Sequence, residues 1–250
     1  AREITALLQS ARTVTILATS RTPLRISGEH EFAVRPLELP ASQSDLADIA
    51  SSAACARFEE RTWAVRADFR IDAGNAGVVV EICRRLDGVP LAIELAAARG
   101  KALPPHELLR QLARDIDLLS GGPADIPARH RTMRGAIQWS YDLLPPDQQQ
   151  LFQELAVFAA GCSLDTAETV TASSRISQLV TGITGLIDAG LLRLEPQPDG
   201  QPRYRMLDLI RRFGIERLEA NPARDEIVRR FADWCIDLAQ QASAAFLGAG

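Results

Sequence analysis

Apolar positions along this chain follow two periods, and the change from one to the other divides it. Ile4, Leu7 and Leu8 share a helical face, and then Val14, Ile16 and Ala18 alternate with Thr13, Thr15 and Leu17 at a strand's period of two. A solitary strand leaves its edge amides unpaired and cannot bury two faces. The pattern therefore predicts a helix and then a strand that needs sheet partners this chain does not obviously supply. Arg35-Pro36-Leu37-Glu38-Leu39-Pro40 follows as an extended, proline-bounded exit.

From about residue 42 to 120 the period is helical. Ser42 with Asp45 three residues on reads as a capping box, followed by Leu46, Ile49, Ala50 and Ala53 on one face. A second helix is predicted over 72–86 from Val78, Ile82 and Leu86, and Gly88-Val89-Pro90 breaks it. A short apolar helix over 91–98 follows, and Pro104-Pro105 opens another through Leu108, Leu109 and Leu112. Gly121-Gly122-Pro123 to Pro127 reads as a linker.

Beyond the linker the pattern predicts helices over about 130–144, 146–158, 165–170 and 176–189, the last closed by Gly190. Residues 191–195 and 203–207 read as short strands around Pro196-Gln197-Pro198-Asp199-Gly200. Three helices and a hairpin make a winged-helix pattern. Helices over 208–219 and about 222–242 complete the chain. The expected fold is mostly α: a remnant of an α/β domain (1–40), a helical domain (41–121), a winged-helix domain (128–220) and the start of a further helical region (221–250).

Composition narrows the function classes. With 46% hydrophobic and 24% charged residues the chain is an ordinary globular protein. A net charge of −4 argues against a broad non-specific nucleic-acid surface. Cys55, Cys83, Cys162 and Cys235 form no C-x-x-C pair and have no neighbouring His, so buried free thiols in a reducing cytosol are expected, and no metal site. No apolar run reaches membrane-spanning length and no leader opens the chain, so a cytoplasmic location is expected. Lys101 is the only lysine among 28 basic residues, a skew that fits a GC-rich genome. His30, His106 and His130 are scattered, with no triad-like context, so no catalytic residue is expected.

Four segments, in order, resemble the NB-ARC class of STAND signalling ATPases, and most closely the large bacterial regulators of the AfsR/LuxR type. They are Ala18-Thr19-Ser20-Arg21; Cys83 through Arg99, containing Leu86-Asp87-Gly88-Val89-Pro90-Leu91; Arg131 through Phe158, containing Trp139-Ser140-Tyr141-Asp142-Leu143-Leu144; and Tyr204-Arg205-Met206-Leu207-Asp208. The likeness spans about residues 1–240. It implies a strand-end site at Thr19, Ser20 and Arg21, with the arginine sensing the terminal phosphate, as an always-charged fork suits. It implies that Pro90, with Gly88 and Leu91, lines adenine, and that the segment at Leu207 contributes a closed-state contact. ATP or ADP would be the ligand of the intact module, which would act as a cytoplasmic regulatory switch in transcription.

Each segment also has a plainer reading. Arg21 can pair with a surface carboxylate, Gly88-Val89-Pro90 can be a helix stop and restart, and Trp139 and Tyr141 suit a core. Two departures stand out. The family's histidine corresponds to Leu207, which donates no hydrogen bond, although Asp208 can cap the following helix. No G-x-x-x-x-G-K-[ST] loop occurs, and in the family that loop and an acidic magnesium-binding strand lie upstream of the position of Ala1. The chain alone is therefore expected neither to bind nor to hydrolyse ATP. Expected partners are the missing nucleotide-binding region and effector domains, with self-assembly possible.

DNA is expected only indirectly, with a stand-alone winged-helix DNA-binding protein as the alternative. Arg129, His130, Arg131, Arg134, Arg203, Arg205, Arg211 and Arg212 could give a basic side. The helix in the recognition position offers one arginine, with Gln178 and Thr184 as base-reading candidates. It reads better as a protein-packing surface.

Overall fold

The computed structural model describes residues 2–11, 13–20, 23–32, 34–41, 44–112, 114–122, 127, 131–171, 175–197 and 200–247. Helix α1 (Arg2–Ser10) is amphipathic yet has no buried residue. Residues 13–20 form no strand: among the described residues the only strands are β1 (Arg193–Glu195) and β2 (Arg203–Arg205). The alternation there is real, but without a neighbouring strand to pair its amides the segment forms no ladder, with Leu17 96% exposed.

The helical unit begins at α2 (Leu46–Ser51). Ser42 lies outside the described residues, and the cap belongs to Asp45, whose side chain accepts the Asp48 N–H at 2.8 Å. Ser52 breaks the expected run, and α3 (Ala53–Trp63) follows. Helix α4 (Ala76–Arg85) starts later than the expected residue 72, because residues 72–75 form a turn in which Asp72 accepts the N–H groups of Gly74 and Asn75.

Helix α5 (Pro90–Ala98) is apolar nearly all round, which suits a helix buried on most sides. It packs on α3 and, on the other unit, on α7. Phe58 of α3 meets Phe69 edge-on at 6.0 Å. Helix α6 (Pro105–Leu112) and a 3-10 turn (Ile116–Leu118) close the unit.

Helix α7 (Met133–Asp142) starts after Thr132, whose hydroxyl caps the Gly135 N–H. Helices α8 (Pro146–Leu155), α9 (Leu164–Val170) and α10 (Ile176–Asp188) lead into the antiparallel β1–β2 hairpin, then α11 (Asp208–Glu219) and α12 (Arg224–Leu247). Leu194 pairs with Tyr204, and Tyr204 also exchanges backbone hydrogen bonds with Cys162 at 2.8 and 3.0 Å, adding a third edge to the wing. Gly182 lets α10 approach α8, since a Cβ there would lie 2.5 Å from Leu151. Tyr141, Phe152 and Phe213 form the aromatic centre of this unit, with centroids 5.4–6.3 Å apart. Phe231 and Trp234 of α12 cover Phe158.

This is a mostly helical chain with a winged-helix domain. Buried residues of the helical and winged-helix units form one contiguous core, running from Ala54 to Phe213. Cys55, Cys83 and Cys162 are buried free thiols. No described helix is long and apolar enough to cross a membrane, and the described residues hold no cluster of metal-ligating side chains.

Candidate functional site at the seam between two units

Helix α4 ends in a tight left-handed reversal. The Asp87 N–H bonds to Arg84 O at 2.9 Å and the Gly88 N–H to Cys83 O at 3.1 Å, the paired pattern of a Schellman stop. Both residues have positive φ, +52° at Asp87 and +66° at Gly88. Glycine is required at 88 for a second reason: a Cβ would sit 2.3 Å from Leu37 O. Leu37 N–H returns a hydrogen bond to Gly88 O at 2.9 Å, fastening the extended exit beneath the turn. Val89 then caps α5, and Pro90 takes its first position, where a missing N–H costs nothing.

This reversal aims the Asp87 carboxylate across the seam. Its Oδ2 accepts the backbone N–H of Asp208, 121 residues away, at 2.7 Å. Leu207 occupies the N-cap position of α11 and has no side chain to satisfy that helix's free amides, so Asp87 supplies an acceptor from outside. Asp208 is the first residue inside the helix rather than its cap, and its carboxylate binds Arg211 at 3.5 Å and Arg212 at 2.9 Å. Burial pushes the Asp87 carboxyl above its ordinary range, against the opposing pull of the Asp208 N–H and of Arg205. Burial likewise lowers Arg193 on the facing strand.

Other polar contacts hold the seam. Arg212 Nη1 donates to Leu112 O at 2.8 Å. Arg134 binds Asp117 of the helical unit and Glu216 of α11. Within the helical unit, Arg99 donates to Leu118 O at 2.9 Å and to Ser120 Oγ at 2.6 Å.

The expected site residues separate into three places. Gly88 and Leu207 come together at the seam, Gly88 buried and Leu207 only 8% exposed. Pro90 is exposed and opens onto a shallow cavity of about 460 Å³ floored by Leu37, Ala53 and Ala56 and edged by Arg57 and Glu60; Leu91 beside it is half-buried. Arg57 is committed to Glu94 at 2.5 Å and Glu60 at 2.8 Å, which raises its already high pKa. Thr19 and Ser20 are exposed and are not among the residues lining the cavity beside Pro90. Arg21 lies outside the described residues.

Four of the arginines that could give the winged helix a basic side are ion-paired within the chain. Arg134, Arg205, Arg211 and Arg212 all pair with carboxylates, and Arg129 and His130 lie outside the described residues. On α10 and its cap the exposed residues are Arg175, Ile176, Ser177, Gln178, Val180, Thr181 and Thr184. The hydroxyls of Thr181 and Thr184 are turned back onto the carbonyls of Ser177 and Val180 at 2.8 Å.

Asp87 is the site residue that sequence reasoning passed over. Its signal is local and faint: an aspartate directly before a glycine at a helix stop, a position open to left-handed backbone.

Residues 144–219 match the model of a winged helix-turn-helix domain. An uncharacterized protein of Mycobacterium tuberculosis is 36% identical over 231 residues, covering 91% of this chain and 56% of its own length. A protein of the same organism named "Putative HTH-type transcriptional regulator" is 36% identical over 214 residues, 85% of this chain and 23% of that relative. The chain thus spans about half of one relative and under a quarter of the other.

Proposed function

We propose that this chain is the switch segment of a transcriptional regulator, in which the winged helix and the helical unit respond to whether ATP or ADP is bound. The winged helix-turn-helix match and the likeness to a relative named as a transcriptional regulator support the regulatory reading. The observation that carries the switch is the seam: the Gly88 turn and the Leu207 segment, 121 residues apart at their closest contact, meet through Asp87 and Asp208.

The residues present fit one part of a nucleotide. The apolar floor of Leu37, Ala53 and Ala56 beside Pro90 suits a purine face. Arg21 would sense the terminal phosphate, and the Leu207 segment would supply the closed-state contact. Backbone amides and a lysine that would hold the phosphates do not occur in a G-x-x-x-x-G-K-[ST] loop here. The chain alone therefore does not bind ATP usefully, and differential contacts in two states do the work in the longer module.

Direct DNA reading by this winged helix is the competing view, and the nearly uncharged outer face of α10 weighs against it. Photolabelling tests the proposal. In a longer polypeptide carrying a P-loop region ahead of this segment, 8-azido-ADP is expected to label the peptide containing Pro90. Saturable nucleotide binding with no label between residues 37 and 91 would refute the assignment. For the isolated chain, micromolar ATP binding would refute its dependence on that region.

A further inference from the structure

The contact that seats α11 on the helical unit is made by a group that opposes its own burial. Among the described residues Asp87 makes no ion pair: Arg205 lies against Glu195 at 3.5 Å, while Arg211 and Arg212 hold Asp208. The charged groups that face Asp87 are Arg193 from β1, Arg205 from β2 and the like-charged Asp208 from α11, and Pro36 and Leu37 beneath the turn are uncharged. Among the described residues its carboxylate accepts a hydrogen bond from a backbone amide at 2.7 Å.

Two effects of opposite sign therefore meet in one side chain. The acceptor oxygen satisfies an α11 amide that Leu207 cannot, which favours closure. The negative charge, half-buried and with no ion pair among the described residues, loses part of its water, which disfavours closure.

We propose that Asp87 is a poised latch, whose acceptor seats the α11 N-terminus on the helical unit and whose charge keeps that seat weak enough to release. Release is local. The Arg134 bridge, the Arg212 bond to Leu112 O and the shared apolar core still join the units, while the start of α11 and the adjoining wing come loose. The inference needs no nucleotide and stands apart from the function proposed above.

The charge also fixes the direction of a pH effect. In the closed structure the Asp87 pKa lies above its ordinary value, so acidification tightens the latch, and closure weakens as pH rises through the raised value.

Amide hydrogen exchange on the full chain separates acceptor from charge. Asp87→Asn keeps an oxygen acceptor, tolerates the positive φ and removes the charge. Asp87→Gly removes the acceptor and fits the same backbone, avoiding the strain of Asp87→Ala. At pH 7 the Asp208 amide is expected to exchange about tenfold faster than wild type in D87G and more slowly than wild type in D87N. After correction for intrinsic rates, the wild-type amide is expected to approach D87N on acidification. Unchanged exchange in α3 and α5 serves as the folding control. Wild-type exchange in D87G would overturn the role of the acceptor, and exchange in D87N as fast as wild type would overturn the role of the charge.

Discussion

The N-terminal arm, residues 2–34, and the packed body that follows use the same kinds of apolar pattern and meet different fates. Helix α1 has an apolar face as clear as that of α4, yet its Ile4 and Leu8 are no more than half-buried, whereas α4 buries Ala76, Val79, Val80, Ile82 and Cys83. Leu17, Phe32 and Val34 are 84–96% exposed, while Phe58, Phe152 and Phe213 are at most 1% exposed. The difference is one of partners. The arm touches the winged helix through an Arg25–Asp188 pair at 3.7 Å whose arginine is 79% exposed, a geometry of little energetic weight.

One carboxylate in each region makes the same point electrostatically. Glu29 in the arm accepts the N–H groups of Leu24 and Arg25 at 2.8 and 2.7 Å, and its pKa falls. Asp87 in the body also accepts a backbone N–H, yet its pKa rises because burial outweighs the hydrogen bond. Similar donors act on both groups, and the surroundings set the sign.

Four measurements can break or sharpen this contrast. The largest effect is expected in the body. Phe152→Ala removes a fully buried ring from between Tyr141 and Phe213 and should cost about 3–5 kcal/mol in denaturant unfolding. A loss under ~1 kcal/mol would mean that the aromatic centre is not packed as described.

Gly88→Ala comes next. It forces a side chain onto a residue at φ +66° facing a backbone oxygen, with an expected cost of about 1–3 kcal/mol from the backbone alone. If the variant is as stable as wild type, the tight turn over Leu37 is wrong.

A smaller effect is expected from pH acting on Asp87. Its folded pKa is raised, so its contribution to stability is fully present below the ordinary carboxylate pKa and lost as pH rises through the raised value. Wild type should therefore fall behind Asp87→Asn near neutrality and draw level in acid. A gap that widens on acidification contradicts the assigned sign.

The smallest effect belongs to the arm. Leu17→Ser and Phe32→Ser are expected to change unfolding by no more than about 0.5 kcal/mol. A large loss in either would show that the arm packs on something in the chain.

Much of the body was legible because its signals are local. The stop at Gly88, the restart at Pro90 and the closure at Gly190 follow from backbone chemistry within a few residues, and α11 spans the expected 208–219. Boundaries moved where a turn competed with the helix: Asp72 folds back on Gly74 and Asn75, and Ser52 splits the run after Asp45. Residues 13–18 misled for a different reason, since a period of two predicts a strand only when a second strand is there to pair with it.

Of the candidate site, Gly88 and Leu207 were singled out by motif resemblance, as nucleotide contacts rather than as partners of each other. Their meeting through Asp87 was not legible, because the hydrogen bond spans 121 residues and no local period encodes it. The pairing of the arginines that could give a basic side was equally hidden. Arginine spacing cannot reveal that Glu216, Asp117 and Asp208 already hold these side chains.

The most direct test of the switch is a distance measured across the seam. Spin labels placed at exposed Asp68 in the helical unit and exposed Thr184 on α10, with Cys235 replaced, report their separation in a longer polypeptide that binds nucleotide. One narrow distance distribution is expected with ADP and a shifted one with a non-hydrolysable ATP analogue. Identical distributions in both nucleotide states would contradict the switch.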